Sequence, residues 1–252
     1  GNKSYCLLTF DDGLKEQIDA LDFLNQKGIP GVFYVTTSAI RNHSVISAHK
    51  LHYIRTAMKD EKILNYISSS IDPKIIQYPE NINELYRYDT LKSKKLKYLL
   101  NFILDSDLKD RLISELFDTM QEEKTFSKKL YMDIGDIQKL DRLGYLGTHS
   151  DSHLPLATLS ENEIRKDISK SIDFLENDCA VNRIKSISYP YGGPKAVSQE
   201  TVDVSKEFGF DFGLTMFRGL NQIKDFDNPL LLKRVDTNDA PGGKLKSNEF
   251  CI

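Results

Sequence analysis

"YCLLTFDDGLKEQIDALDFLNQKGIPGVFYVTT", residues 5–37, decides the fold. The apolar run Tyr5–Leu8 continues through Thr9 and Phe10 and reads as a buried strand. It ends at two adjacent carboxylates, Asp11 and Asp12, followed by Gly13. Ile18, Leu21 and Leu24 then recur at the spacing of one helix face. Gly28 stops that helix, and Pro30 reinforces the stop. Gly31–Thr37 is rich in β-branched and aromatic residues and reads as a second strand. Strand, helix, strand over so short a span is the unit of a parallel α/β sheet.

The last third repeats the rhythm. Ile137, Leu140 and Leu143 form a stripe ended by Gly144, and "YLGTHS" is a short strand and its exit. Ser160 and Glu163 make a capping box ahead of Ile164, Ile168, Ile172 and Leu175. "IKSISYPYG" alternates like a strand until Pro190, "SQETVDVSKEFG" is a helix closed by Gly209, and "FDFGLTMF" and "PLLLKRVD" are further strands. The alternation predicts a mostly parallel sheet, open or closed into a barrel. Residues 42–129 differ: Leu96, Leu99, Leu100 and Ile103, then Leu108, Leu112, Leu116 and Met120, mark helices with few strands between them. They read as a helical insertion within one domain spanning residues 1–252.

Composition narrows the function. With 40% hydrophobic residues in 252, a sizeable core is available. The net charge of −3 opposes a general nucleic-acid binder, which needs a basic surplus. Cys6, Cys179 and Cys251 form no Cys-x-x-Cys pair and read as ordinary thiols in a reducing compartment. No apolar run approaches the ~20 residues of a membrane-crossing helix. No secretion signal precedes the first strand, so the expected location is cytoplasmic.

Three segments carry chemistry. Asp11 and Asp12 stand at the carboxyl end of a strand, where parallel α/β proteins place ligands, and Gly13 permits the turn that swings both acids to one cleft. The same triplet also suits a plain turn. His149 and His153 follow another strand, and on a helical turn they would share a face and reach one ion. Surface or capping roles are the plainer reading. His49 and His52 sit on an amphipathic stretch of the insertion and read as structural. One carboxylate with two imidazoles is a catalytic zinc-type ligand set, and the spare aspartate is then placed to take a proton from water. In "ISYPYGGP", a strand ends at Pro190, and a backbone N–H just beyond can face a developing oxyanion.

In this order, "TFDDG", "HSDSH" and "SYPYG" resemble the polysaccharide deacetylases of carbohydrate esterase family 4 (the NodB-homology domain). The resemblance covers about residues 5–37 and 131–236 and leaves out the helical segment. It implies a distorted (β/α)7 barrel. It also implies that Asp12, His149 and His153 bind a divalent metal, usually Zn2+, with Co2+ or Ni2+ as alternatives, and that Asp11 is the catalytic base. The Tyr191 N–H would stabilise the oxyanion, with Pro190, Gly192 and Arg234 lining the substrate. The implied reaction hydrolyses an N-acetyl amide on a sugar. The "YPYG" form suggests a cell-surface glycan or its precursor, of O-antigen or exopolysaccharide type.

The chain departs from the family in three ways. Ser188 stands where many members have an arginine, the late histidine is missing, and there is no tryptophan. The catalytic acid is thereby unassigned, and Asp11 would have to make both proton transfers. Arg234 reads either as a surface ion pair or as a replacement for the missing charge. Two other functions fit the same residues: a metal-dependent amidase acting on a small non-sugar amide, and a glycan-binding relative without turnover.

Overall fold

A computed structural model describes residues 4–82 and 89–240. Cys251 lies outside them. The chain divides into two compact units, one made of residues up to Ser44 with those from Ser127 onward, the other of Val45–Phe126.

The first unit carries six strands: β1 Leu8–Phe10, β2 Gly31–Val35, β3 Leu146–Thr148, β4 Ser186–Ser188, β5 Phe212–Arg218 and β6 Leu232–Arg234. They pair in chain order, and every pairing is parallel. Helices connect them: α1 Gln17–Lys27 and α2 Thr37–Arg41 early in the chain, α8 Ile134–Leu143 before β3, α9 Glu161–Asp173 before β4, and α10 Gln199–Glu207 before β5. Leu21 and Leu24 of α1 are buried, and Gly28 closes that helix in the left-handed conformation. The Ser160–Glu163 capping box forms at the start of α9.

The sheet is curled. Six strands laid flat would hold β1 and β6 about 24 Å apart. Yet Arg234 of β6 donates from Nη1 to both carboxylate oxygens of Asp11, just beyond β1, at 3.0 and 2.8 Å. An arginine side chain cannot span a flat sheet, so the two outer strands must approach each other. The interior so enclosed is apolar below, where Tyr34, Leu214 and Leu232 pack with Val32. Side chains two apart on a strand share a face, so Arg234 stands directly above Leu232 at the carboxyl end.

The first strand is shorter than the sequence suggests. Only Leu8–Phe10 pairs with β2, and Tyr5 (89%), Leu7 and Leu8 are exposed. β1 is an outer strand, so among the described residues Tyr5–Leu7, ahead of its three-residue ladder, lie exposed and outside the sheet. Phe10 is the apolar residue of this run that is packed, stacked on Phe33 at 4.6 Å. Leu143, expected on a buried stripe, is likewise exposed at the end of α8.

The second unit is helical: α3 Ser47–Ala57, α4 Asp60–Ser69, α5 Leu91–Tyr98 and α6 Ser106–Asp118, with α7 Glu123–Leu130 beginning within it. Leu96, Leu99, Leu100, Leu112 and Leu116 are buried. Tyr53, Phe117 and Phe126 pack edge to face. A buried Lys50 Nζ meets Glu123 at 2.8 Å and Ser114 Oγ at 2.9 Å. Among the described residues no helix is long and apolar enough to cross a membrane.

Gly147 gives a direct test of the curled interior. A Cβ there would intrude on the Tyr34 ring and the Ser186 hydroxyl. Gly147→Ala is expected to destabilise the protein by about 1–3 kcal/mol, the usual cost of overpacking, read as a lower urea midpoint. An unchanged midpoint would place Tyr34 elsewhere.

Candidate active site

All three motif segments leave the carboxyl ends of β1, β3 and β4, and each does so through backbone with positive φ. Asp12 has φ +78°, Ser150 +63°, His153 +58° and Tyr191 +61°. Non-glycine residues seldom occupy that region, and such strain collects where side chains must be aimed. The glycines beside them explain how the turns close. Gly13 (φ +73°) would set a Cβ 3.0 Å from Val35 Cγ1, and Gly192 (φ +50°) would set one 2.5 Å from the Met216 backbone nitrogen. Gly13 also accepts the Met132 N–H at 2.9 Å, while Lys15 N–H donates to Leu130 at 2.8 Å, clamping the aspartate turn.

The turns converge. Asp12 Oδ1 lies 3.4 Å from His149 Nε2 and 3.2 Å from His153 Nε2. Among the described residues this trio is the one group of three ligating side chains within 4.8 Å of one another. The His149–His153 segment is not helical, contrary to the spacing argument. His149 continues β3, and left-handed residues at Ser150 and His153 fold the loop back so that the rings meet edge to face at 5.2 Å. His149 is buried, and its Nδ1 meets the Ser188 carbonyl at 2.6 Å. A carbonyl only accepts, so Nδ1 carries the proton and the Nε2 lone pair faces the trio. Burial holds this imidazole below its ordinary value, with the nearby carboxylates pulling the other way. The donor set therefore fits a divalent cation: one carboxylate oxygen, two imidazole nitrogens, and one ring already oriented from behind.

Asp11 points elsewhere. Its carboxylate is held by Arg234, whose Nε donates to the Thr215 carbonyl at 2.9 Å. A bulge makes this possible. Leu214 pairs with Leu232 and Arg218 with Arg234, so β5 has extra residues between two rungs of the ladder. Those residues turn their backbone to other partners: Thr215 O to Arg234, and Met216 N–H to Gly192 O at 2.9 Å. Arg234, read from sequence as a substrate-lining residue, a surface ion pair or a replacement for the missing charge, thus stands on the aspartate. Pro190 is buried in the third turn, Tyr191 is exposed, and the Tyr191 ring lies 5.2 Å from that of His153.

Residues missed from sequence hold the histidine loop. The buried Asp151 accepts from Thr37 Oγ1 at 2.7 Å and from Arg41 at 2.9 Å. The buried Asp167 of α9 accepts the N–H groups of Asp151 and Ser152 at 2.8 and 3.0 Å. A signal was present: Asp167 interrupts the stripe formed by Ile164 and Ile168, and a buried carboxylate needs donors.

Asp167→Ala strands both N–H groups, each costing about 1–3 kcal/mol when buried. The expected result is a lower melting temperature, with Asp167→Asn falling between wild type and alanine. In metal-free protein, His149 adds a pH dependence. Its folded-state pKa lies below the ordinary 6.5, so between the two values the unfolded chain binds more protons. This stability is complete above about 6.5 and is lost as pH falls. The urea midpoint should drop in that window, and His149→Gln should flatten the slope.

A family model falls on the segment that carries the histidine loop and the third turn. Residues 134–213 match the family model described as polysaccharide deacetylase. No curated protein matches the sequence. Among solved structures, the deacetylase PplD of Streptococcus pyogenes in complex with acetate is similar at 15% identity and a TM-score of 0.46, over 93% of this chain and 65% of that one. The deacetylase domain of BpsB from Bordetella bronchiseptica is similar at 17% and 0.49, over 91% and 69%. IcaB from Ammonifex degensii is similar at 15% and 0.48, over 91% and 66%. This chain thus spans about two thirds of the length of those structures. The matched segment, about a third of the chain, holds His149, His153, Asp167 and the Pro190 turn, and over it the chain is similar to the polysaccharide deacetylases.

Proposed function

We propose that this protein is a metal-dependent hydrolase that removes N-linked acetyl groups from a sugar of a cell-surface glycan or its precursor, of O-antigen or exopolysaccharide type. The observation that carries the reading is the division of labour between adjacent aspartates. Asp12 faces two imidazoles, and Asp11 faces a guanidinium.

Asp12, His149 and His153 would hold the cation, with zinc the expected ion. A divalent cation in such a site polarises a carbonyl oxygen and makes a neighbouring water more acidic. The chain's own groups do the rest. Asp11 accepts the water's proton on a carboxylate oxygen. Arg234 fixes the direction of that carboxylate by donating to both of its oxygens. Its presence at Asp11 also fits the loss of an arginine at position 188. The Tyr191 N–H, held by a turn whose next residue is bonded to β5, would donate to the oxygen that gains charge. With no late histidine in the sequence, the proton taken by Asp11 would be returned to the departing amine by the same residue.

Acetate release from N-acetylglucosamine oligomers and nucleotide sugars, with elemental analysis alongside, tests this. Zinc-treated protein should hold about one metal per chain. His153→Ala should lose the metal. Asp11→Asn should keep it and lose about 10²–10⁴ in rate. Equal metal loss in both variants would overturn the assignment. Turnover of small cyclic amides in place of sugars would move the protein to the amidases.

A further inference from the structure

Beyond Tyr191 lies a cavity of ≈ 560 Å³ walled by Pro155, Thr158, Tyr191, Pro194, Lys195 and Ala196. Its walls extend the motif loops. Pro155 follows His153 closely, and Pro194–Ala196 follow the third turn. The Ala157 N–H donates to the Ala196 carbonyl at 3.1 Å and ties the two walls together. Tyr191 borders both the cavity and the site: it lines the first, and its ring stands 5.2 Å from that of His153.

Two features point to a ligand. Tyr191 is 55% exposed although its backbone sits at φ +61°. The strain therefore presents an aromatic face to water, which folding alone does not reward. The lining is mostly apolar; Thr158 Oγ1 donates to the Pro155 carbonyl at 2.7 Å, and the one charged residue is Lys195. Among the described residues no carboxylate lines the cavity, and no ion pair or hydrogen bond occupies the Lys195 ammonium. In a mostly apolar pocket the few polar groups set orientation and specificity. Here that group is a cation.

We infer that this cavity binds the unit next to the acetylated sugar and that this unit carries a negative charge met by Lys195. The inference rests on the deacetylase reading for the identity of the neighbouring sugar. The anion is a uronic acid carboxylate or a phosphate ester, which share the chemistry that Lys195 recognises. The ring of that unit would lie on Tyr191 and Pro194, with Lys195 at its charged edge.

Calorimetric titration of the zinc-treated full chain separates the possibilities. The probes are a neutral N-acetylglucosamine tetramer, an alternating N-acetylglucosamine–glucuronic acid tetramer, and UDP-N-acetylglucosamine. One of the two anionic probes should bind more tightly than the neutral one, and which one it is names the anion. At low salt, Lys195→Gln should weaken that probe about threefold and Lys195→Glu about tenfold, as for a solvent-exposed ion pair removed or reversed. Neither variant should change the neutral probe. Equal affinity for all three probes, or anion binding unchanged in both variants, overturns the inference. Acetate release is read in parallel. Acetate with no Lys195 effect sinks the cavity and keeps the hydrolase. Lys195-dependent anion binding with no acetate from any probe keeps the cavity and sinks the hydrolase.

Discussion

The ion pair between Arg234 and Asp11 joins the last strand to the first. Parallel strands added in chain order would otherwise make an open sheet, with its two outer strands far apart. A guanidinium reaching both oxygens of one carboxylate requires those strands to have come round. The curl also gives Tyr34, Leu214 and Leu232 a common interior. It sets the aspartate turn beside the loops that leave β3 and β4. The trio itself is drawn together by the turns that follow β1 and β3, two strands apart in the same sheet.

Closure brings the loops together, and strained turns aim their side chains. Two of the three segments carry a left-handed non-glycine residue next to a glycine that has no room for a Cβ, Asp12 beside Gly13 and Tyr191 beside Gly192. Strain of this kind persists only where the surroundings over-determine it. Here they do. Asp167 holds two backbone N–H groups of the histidine loop, Asp151 ties the same loop to Thr37 and Arg41, and Ser188 holds the back of His149. The site is thereby built before any ligand arrives, which removes a reorganisation cost from binding and catalysis.

The β5 bulge links the two halves of this arrangement. A regular ladder would have engaged Thr215 O with the backbone of β6. The irregular one leaves it to the Arg234 side chain, while the Met216 N–H, on the opposite side, reaches Gly192 beyond β4. The group that orients Asp11 and the turn that presents Tyr191 thus hang on the two sides of one peptide group. Asp11 and Tyr191 are in this way coupled through one short stretch of backbone.

Local order was legible in the residues themselves. The glycine stop at Gly28, the Ser160–Glu163 box and the β/α alternation are set by neighbours a few positions apart, so they could be read directly. The grouping of Asp12, His149 and His153 was legible too, because few side chains can hold a cation and these stood just beyond strands. The bend of the histidine loop was not, since the spacing of His149 and His153 suits a helix and only φ at Ser150 and His153 decides otherwise. Nor was the exposure of Tyr5 and Leu7, because whether an apolar residue is covered depends on which strand ends up outermost. The partner of Arg234 was the least accessible of all. Which cation meets Asp11 is a matter of how far a sheet curls, and that is decided by strands more than two hundred residues apart.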